Sequence, residues 1–288
     1  MTVHVPVMPR EVLHWLEPTP GKILIDGTLG GGGHTRLLAE KLGEEGFVLA
    51  VDRDPDAVER AEATLRGLPI KICHASYDEL GEVLREIDVR QVDGILLDLG
   101  LSSDQLADRA RGFSFDSDGE FDLRFDPTSG EPAWKMLIRK PEKELADLIY
   151  QYGEERKSRG VARAIKEALK SGELRTSTAV AKIVRRAVGF SKDRIDSATR
   201  TFQGLRIAVN DELGKLERFL RNAPTWIRPG GRLAIISFHS LEDRMVKTAF
   251  REDERWKVLT PKPLTALEDE VLENTRSRSA KLRVAERV

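Results

Sequence analysis

The sequence predicts an α/β protein: a mostly parallel, doubly wound sheet with an antiparallel edge hairpin, interrupted by an inserted helical domain. Three observations carry that expectation. Up to residue 103, short apolar runs alternate with longer amphipathic stretches. From 105 to about 203 only helical periodicity remains. At Gly230-Gly231 the strand pattern resumes, leading into Arg232-Leu233-Ala234-Ile235-Ile236-Ser237-Phe238.

The first half reads as strands over 22–25, 47–51, 70–73 and 94–97, with helices over 34–42, 55–65 and 77–87. These strands are almost continuously apolar, as parallel strands covered on both faces are. Asp54-Pro55 supplies the N-cap and first-turn residues that open the second helix. A polar loop over 111–130 follows, then helices over 142–152, 156–169 and 178–188. A helix over 201–220, with a break near Asn210-Asp211, leads back to the sheet. Beyond residue 230 come a helix over 240–251 and strands over 256–259 and 280–285. No helix of useful length follows Ala285, so the last two strands are expected to pair as the antiparallel edge. The expected division is a sheet domain of 1–104 and 204–288 and an inserted helical domain of 105–203.

At 288 residues, 40% of them apolar, the chain can bury a real core. No apolar run approaches the ~18 residues of a membrane span, and Met1-Thr2-Val3-His4-Val5-Pro6 is no signal peptide. A cytoplasmic protein is expected. The single cysteine, Cys73, excludes an internal disulfide and a multi-cysteine zinc site, and reads as a small buried hydrophobe. Five scattered histidines argue against a transition metal. Net charge is −1, yet residues 151–210 hold 14 Lys and Arg against 6 Asp and Glu. That balance fits either a local anionic partner or solvated helix faces.

Asp26-Gly27-Thr28-Leu29-Gly30-Gly31-Gly32-Gly33-His34 joins the first strand to the first helix. Strand, glycine turn and helix in that order cradle a nucleotide-like ligand, because glycine lets backbone lie against it. The second strand ends in Asp52, about 20 residues on, where a ribose-binding acid belongs. The segment Ala75-Ser76-Tyr77 and Asp98 also fall at strand carboxyl ends, where such sheets bind ligands. Two cofactors share this pattern: a nicotinamide dinucleotide and S-adenosylmethionine. The dense glycines, the edge hairpin and the second acid, Asp98, favour the methyl donor. A non-catalytic RNA-binding factor would be expected to have an eroded loop, and all the glycines stand.

Several blocks resemble one family. They are Ile25-Asp26-Gly27-Thr28 with Gly32-Gly33-His34, Leu97-Asp98-Leu99-Gly100-Leu101-Ser102-Ser103 and Arg111-Gly112-Phe113-Ser114-Phe115. Further along stand Tyr152-Gly153-Glu154-Glu155-Arg156, Ala198-Thr199-Arg200-Thr201-Phe202-Gln203 and Phe238-His239-Ser240-Leu241-Glu242-Asp243-Arg244. In order and almost end to end, the chain resembles the bacterial 16S rRNA (cytosine-N4) methyltransferases, the RsmH or MraW family. The resemblance implies a class I, Rossmann-like methyltransferase fold with S-adenosyl-L-methionine as cofactor. The implied target is the exocyclic N4 of a cytosine in the decoding centre of small-subunit ribosomal RNA. It implies cofactor contacts from Gly32, Gly33, His34, Asp52, Tyr77, Asp98 and Gln105. Two departures stand out: Asp104 replaces a proline, and Asp196-Ser197 replaces a His-Pro pair.

Asp98 is the candidate catalytic residue, as an acceptor for the cytosine amine; a role confined to orienting the cofactor is the alternative. Arg111, Lys182, Arg185, Arg186, Arg200 and Arg206 are the candidate RNA contacts. Phe113 and Phe115 could stack on the base, though anchoring the loop in a core is the favoured reading for one of them. His239 fits substrate contact and packing equally. The C-terminal arginines are expected to face water. Mg²⁺ carried on RNA, free RNA against assembled subunit as substrate, and a homodimer stay open.

Overall fold

The computed structural model describes residues 5–170, 172, 174–189 and 196–288. Residues 1–4, part of the stretch read against a leader, lie outside the described residues. The chain forms two compact units, Met1–Leu101 with Leu213–Val288, and Ser102–Glu212.

In the first unit, helices and strands alternate: α1 (Pro9–Leu16), β1 (Ile23–Asp26), α2 (Gly33–Leu42), β2 (Phe47–Asp52), α3 (Pro55–Thr64), β3 (Ile70–His74), α4 (Leu80–Glu86) and β4 (Val92–Asp98). After the second unit come α11 (Glu212–Trp226), β5 (Ile227–Ser237), α12 (Ser240–Glu252), β6 (Trp256–Val258), α13 (Glu268–Glu273) and β7 (Lys281–Arg287). The seven strands lie in the order β3-β2-β1-β4-β5-β7-β6. β1 to β5 pair in parallel, and β7 runs antiparallel between β5 and β6.

Alternate residues of each strand enter different layers. Ile25, Leu49, Ile95 and Ile235 pack with Leu80, Phe219 and Val246 from α4, α11 and α12. Their neighbours Leu24, Val48, Leu96 and Ile236 pack with Val12, Leu16, Leu38 and Leu42 from α1 and α2. Burial on both faces is what makes these strands read as unbroken apolar runs. Among the described residues, no helix is long and apolar enough to cross a membrane.

The expected edge pair exists, but β7 lies inside it and a long connection containing α13 separates it from β6. The N-cap at Asp54 also forms, its side chain accepting the Asp56 amide. One helix departs from the expected bounds. Tyr77–Glu79 is a 3-10 turn, and α4 begins only at Leu80, because Ser76 and Glu79 form a capping box ahead of it. The break expected near Asn210-Asp211 forms where Asp211 takes φ of 50°, dividing 201–220 into two helices. Helix α1 escapes periodicity because only eight residues separate its start at Pro9 from its left-handed cap at Glu17.

The second unit comprises α5 (Ser103–Ala107), α6 (Ala133–Arg139), α7 (Glu142–Gly153), α8 (Ser158–Lys170), α9 (Ser177–Val188) and α10 (Thr199–Asn210). α10 belongs here, beyond the expected limit at 203, because it lies directly on α7. At their crossing the backbones nearly touch. A Cβ on Gly153 would stand 2.2 Å from the Arg200 carbonyl oxygen, and one on Gly204 2.8 Å from the Gly153 nitrogen. Gly153→Ala is therefore expected to destabilise this unit by about 1–3 kcal/mol, the usual cost of overpacking. Chemical denaturation followed by circular dichroism measures it, and an unchanged midpoint would show that the helices separate freely.

Candidate active site

The carboxyl ends of the first unit's parallel strands gather three acids: Asp26 on β1, Asp52 on β2 and Asp98 on β4. Asp26 is buried and accepts hydrogen bonds from the Thr28 amide at 3.1 Å and the Thr35 hydroxyl at 2.7 Å. The Thr28 hydroxyl accepts the Asp98 amide at 2.6 Å. One threonine thus ties the end of β1 to the end of β4. Burial lifts the Asp26 pKa to about 6, against the pull of Thr35 and Thr28.

Asp52 braces the glycine turn. Its two oxygens accept the Gly30 amide at 2.8 Å and the Asp54 amide at 2.9 Å, while burial pushes its pKa up. The turn is closed by the Gly32 amide donating to the Leu29 carbonyl at 2.7 Å. Gly30 and Gly32 have φ of 50° and 76°, a region that side chains disfavour. Gly32 caps α2, and Gly33 and His34 form its first turn. At Gly27 a Cβ would lie 2.4 Å from a methyl of Leu97, which would have to shift to admit it.

The buried His34 ring places Nε2 3.7 Å from Asp98 Oδ2. Asp98 Oδ1 is buried and receives no hydrogen bond among the described residues. Burial and the neighbouring Asp26 raise the Asp98 pKa to about 8; Arg276 opposes the rise, and Glu242 and Glu270 add to it. Tyr77 stands edge-on to Phe219, with ring centres 5.6 Å apart. Its loop is anchored through Asp78, which meets Lys215 at 3.3 Å and Arg218 at 2.9 Å on α11. Five of the expected cofactor residues besides Asp98 therefore line one sheet edge: Gly32, Gly33, His34, Asp52 and Tyr77.

The match with known proteins decides between the two cofactor families. The MraW methylase family matches residues 1–288. The chain belongs to that family. The Ribosomal RNA small subunit methyltransferase H of Rhodopirellula baltica is 54% identical, over 100% of this chain and 92% of that protein. The protein of the same name from Sorangium cellulosum is 51% identical over 99% and 91%. Among solved structures, a SAM-dependent O-methyltransferase from Thermotoga maritima gives a TM-score of 0.46 at 12% identity, covering 99% of this chain and 67% of that one. The fold is that of a class I, Rossmann-like methyltransferase, and the chain is a methyltransferase.

Other blocks shared with the MraW family have structural roles. His239 caps α12: its Nδ1 accepts the Glu242 amide at 3.4 Å, and buried Glu242 accepts the Phe238 amide at 2.9 Å. In the second unit Gln105 is buried in α5, exchanging hydrogen bonds with Ser102 in a capping box. Asp104 stands in the first turn of that helix, where a carboxylate suits the dipole. Buried Arg111 donates to the carbonyls of Arg124 and Phe125.

The remaining cations differ in their engagements. Arg206 forms a two-pronged ion pair with Glu212 at 2.8 and 2.9 Å, both side chains largely buried. Arg185 binds Asp196 at 2.6 Å and lies over Phe115, so the aspartate of the Asp196-Ser197 departure is neutralised locally. Lys182, Arg186 and Arg200 are exposed. Phe113 is buried and stacked on Phe125, and Phe115 meets Phe202 edge-on, so both rings anchor the loop.

Two residues of the site left no local signal. Thr28 lies within a recognised motif, but its link to Asp98 spans two strands. Arg276 donates to the Leu101 carbonyl, and so holds the loop that follows Asp98. The expectation that the C-terminal arginines face water fails there and again at buried Arg283, which meets Asp243 at 2.6 Å. A cation beside buried carboxylates offsets their desolvation.

Because its folded pKa of about 8 exceeds the ~3.9 of an unfolded aspartate, Asp98 costs stability once ionised. Below pH 4 it is neutral in both states and costs nothing. The cost grows from there to pH 8 and then levels. Asp98→Asn should stabilise the ligand-free protein above pH 7 by about 1–3 kcal/mol, on the scale of a buried unsatisfied group, and leave it unchanged at pH 4. Denaturation midpoints at the two pH values test this; a variant less stable at pH 8 would contradict it.

Proposed function

We propose that this methyltransferase moves the methyl group of S-adenosyl-L-methionine to the exocyclic N4 of a cytosine in the decoding centre of small-subunit ribosomal RNA. Membership of the MraW family over the whole chain supports the reading most strongly, together with relatives named for ribosomal RNA methylation. A ribosomal substrate would place the protein in the cytoplasm.

The residues fit a cationic donor. Asp98 carries a buried oxygen without a hydrogen bond among the described residues, and Asp26, Glu242 and Glu270 add negative potential around it. The glycine turn carries no side chains beyond Cα at 30–33, and Asp52 at the end of β2 is the proposed partner of a ribose hydroxyl. Gly32, Gly33, His34, Asp52, Tyr77, Asp98 and Gln105 are the proposed cofactor contacts. When bound, S-adenosylmethionine supplies an electrophilic methyl on a positive sulfur.

The cytosine amine is a poor nucleophile because its lone pair is conjugated into the ring. Asp98 accepts a hydrogen bond from that amine and helps it pyramidalise as the N–C bond forms and the C–S bond breaks. Asp98 would take the amine's surplus proton on its carboxylate, while the bound donor would supply the methyl group and keep the bonding pair of the broken C–S bond. A carboxylate whose pKa lies near 8 is matched to that task at neutral pH. Alignment and exclusion of water supply the rest of the acceleration. The base must be unstacked to reach the donor, with RNA phosphates met by exposed Lys182, Arg186 and Arg200. Arg111, Arg185 and Arg206 are engaged by carbonyls and carboxylates within the second unit.

Mass mapping of nucleosides in ribosomal RNA from cells lacking the protein should show one N4-methylcytidine lost and restored by the wild-type gene. An unchanged methylation pattern would overturn the assignment. Binding of the cationic donor requires ionised Asp98, so its affinity should rise between pH 6 and 7.5, by at most tenfold per unit, about 1.4 kcal/mol. Calorimetry on Asp98→Asn should give a flat profile. If that variant turns over about 100-fold more slowly even at saturating donor, the proton-accepting role stands. Weak binding with normal turnover at saturation would leave Asp98 an orienting residue only.

A further inference from the structure

Helices α8 and α9 enclose a cleft of about 430 Å³ within the second unit. Its floor is nearly bare: Gly160, Ala164 and Ala168 recur every four residues along α8, and Ile183 and Ala187 do so along α9. Arg163 and Glu167 rise on one bank and Arg186 on the other. Helical spacing extends both rows, with Arg159 one turn before Arg163 and Lys182 one turn before Arg186; all four are exposed.

The charge pattern is not that of an ordinary solvated face. The two helices carry Arg159, Arg163, Lys166, Lys170, Lys182, Arg185 and Arg186 against a single carboxylate, Glu167. Solvated helices usually intersperse the two signs. Two of the seven are committed elsewhere: Lys166 donates to the carbonyls of Leu137 and Ile138, and Arg185 binds Asp196. Arg163 approaches Glu142 only at 3.8 Å while 69% exposed, a pairing too loose and too solvated to hold it.

We propose that this cleft seats a stretch of RNA sugar–phosphate backbone, with Arg163 and Arg186 clasping phosphates from its two banks and Arg159 and Lys182 extending the track. The inference rests on the RNA substrate proposed above and adds a specific binding surface to it. Glycine and alanine along α8, with Ala187 on α9, let a bulky backbone approach the helices, and cations on both banks match a polyanion rather than an apolar peptide. Backbone contacts of this kind position the substrate without reading its sequence.

The test uses the full-length protein and small ribosomal subunits from cells lacking it. Arg163→Glu with Arg186→Glu should raise KM for the subunit at least tenfold while donor affinity stays as in wild type. The salt dependence of binding should become shallower, by about 0.7 in log–log slope for each phosphate that is no longer neutralised. Ala164→Leu fills the floor without changing charge and should also raise KM. Glu167→Gln removes the opposing charge and should lower it. KM within twofold of wild type in the charge-reversed and floor-filled variants, with active wild-type enzyme, overturns the cleft alone. Wild-type enzyme that methylates no subunit would overturn the RNA reading and the cleft with it. Unchanged helical circular dichroism and an unchanged denaturation midpoint show that the variants keep the second unit folded.

Discussion

The first unit is organised around keeping acidic side chains at the end of a sheet whose interior is apolar. Asp26, Asp52 and Asp98 each terminate a buried strand, and each is supplied with a different remedy for lost hydration. Asp26 takes the amide and hydroxyl groups of threonines. Asp52 takes two backbone amides, one from the glycine turn. Asp98 takes neither; its carboxyl is left with raised proton affinity and a distant guanidinium. The sheet needs none of these acids for its own packing, and the third lowers its stability. That pattern is typical of a group retained for reactivity.

Much of this was legible in the sequence because it is locally encoded. Strands covered on both faces must be apolar throughout, so β1, β2 and β4 announce themselves. Each then ends in an aspartate, visible as the first charge after the run. Glycines at Gly30 and Gly32 mark backbone that other residues would strain. What the sequence concealed depends on partners far along the chain. Arg276 reaches a carbonyl at Leu101, and Arg283 meets Asp243 within one face of the sheet edge. A basic run near a C-terminus looks the same whether its members face water or neutralise acids.

The second unit shows the complementary limit. Counting charges located a basic segment but could not sort its members. Arg206 and Arg185 are engaged by Glu212 and Asp196, and Arg111 by backbone carbonyls. The aromatic loop looked suited to stacking on a base, yet its rings pack on Phe125 and Phe202 instead. An arginine's neighbours in space, rather than its neighbours in sequence, decide whether its charge faces outward.

The order of the strands has a consequence for how this molecule acquires its structure. β4 and β5 lie side by side, with Leu96 opposite Ala234, although the entire second unit is threaded between them. Joining them closes a very long loop, and such closures are slow to find. The packing of α7 with α8, and of α8 with α9, is by contrast made between neighbours in the chain. The interrupting segment can condense while the sheet is still divided, shortening the tether that its two halves must span. The centre of the sheet is then the last part of the fold to close.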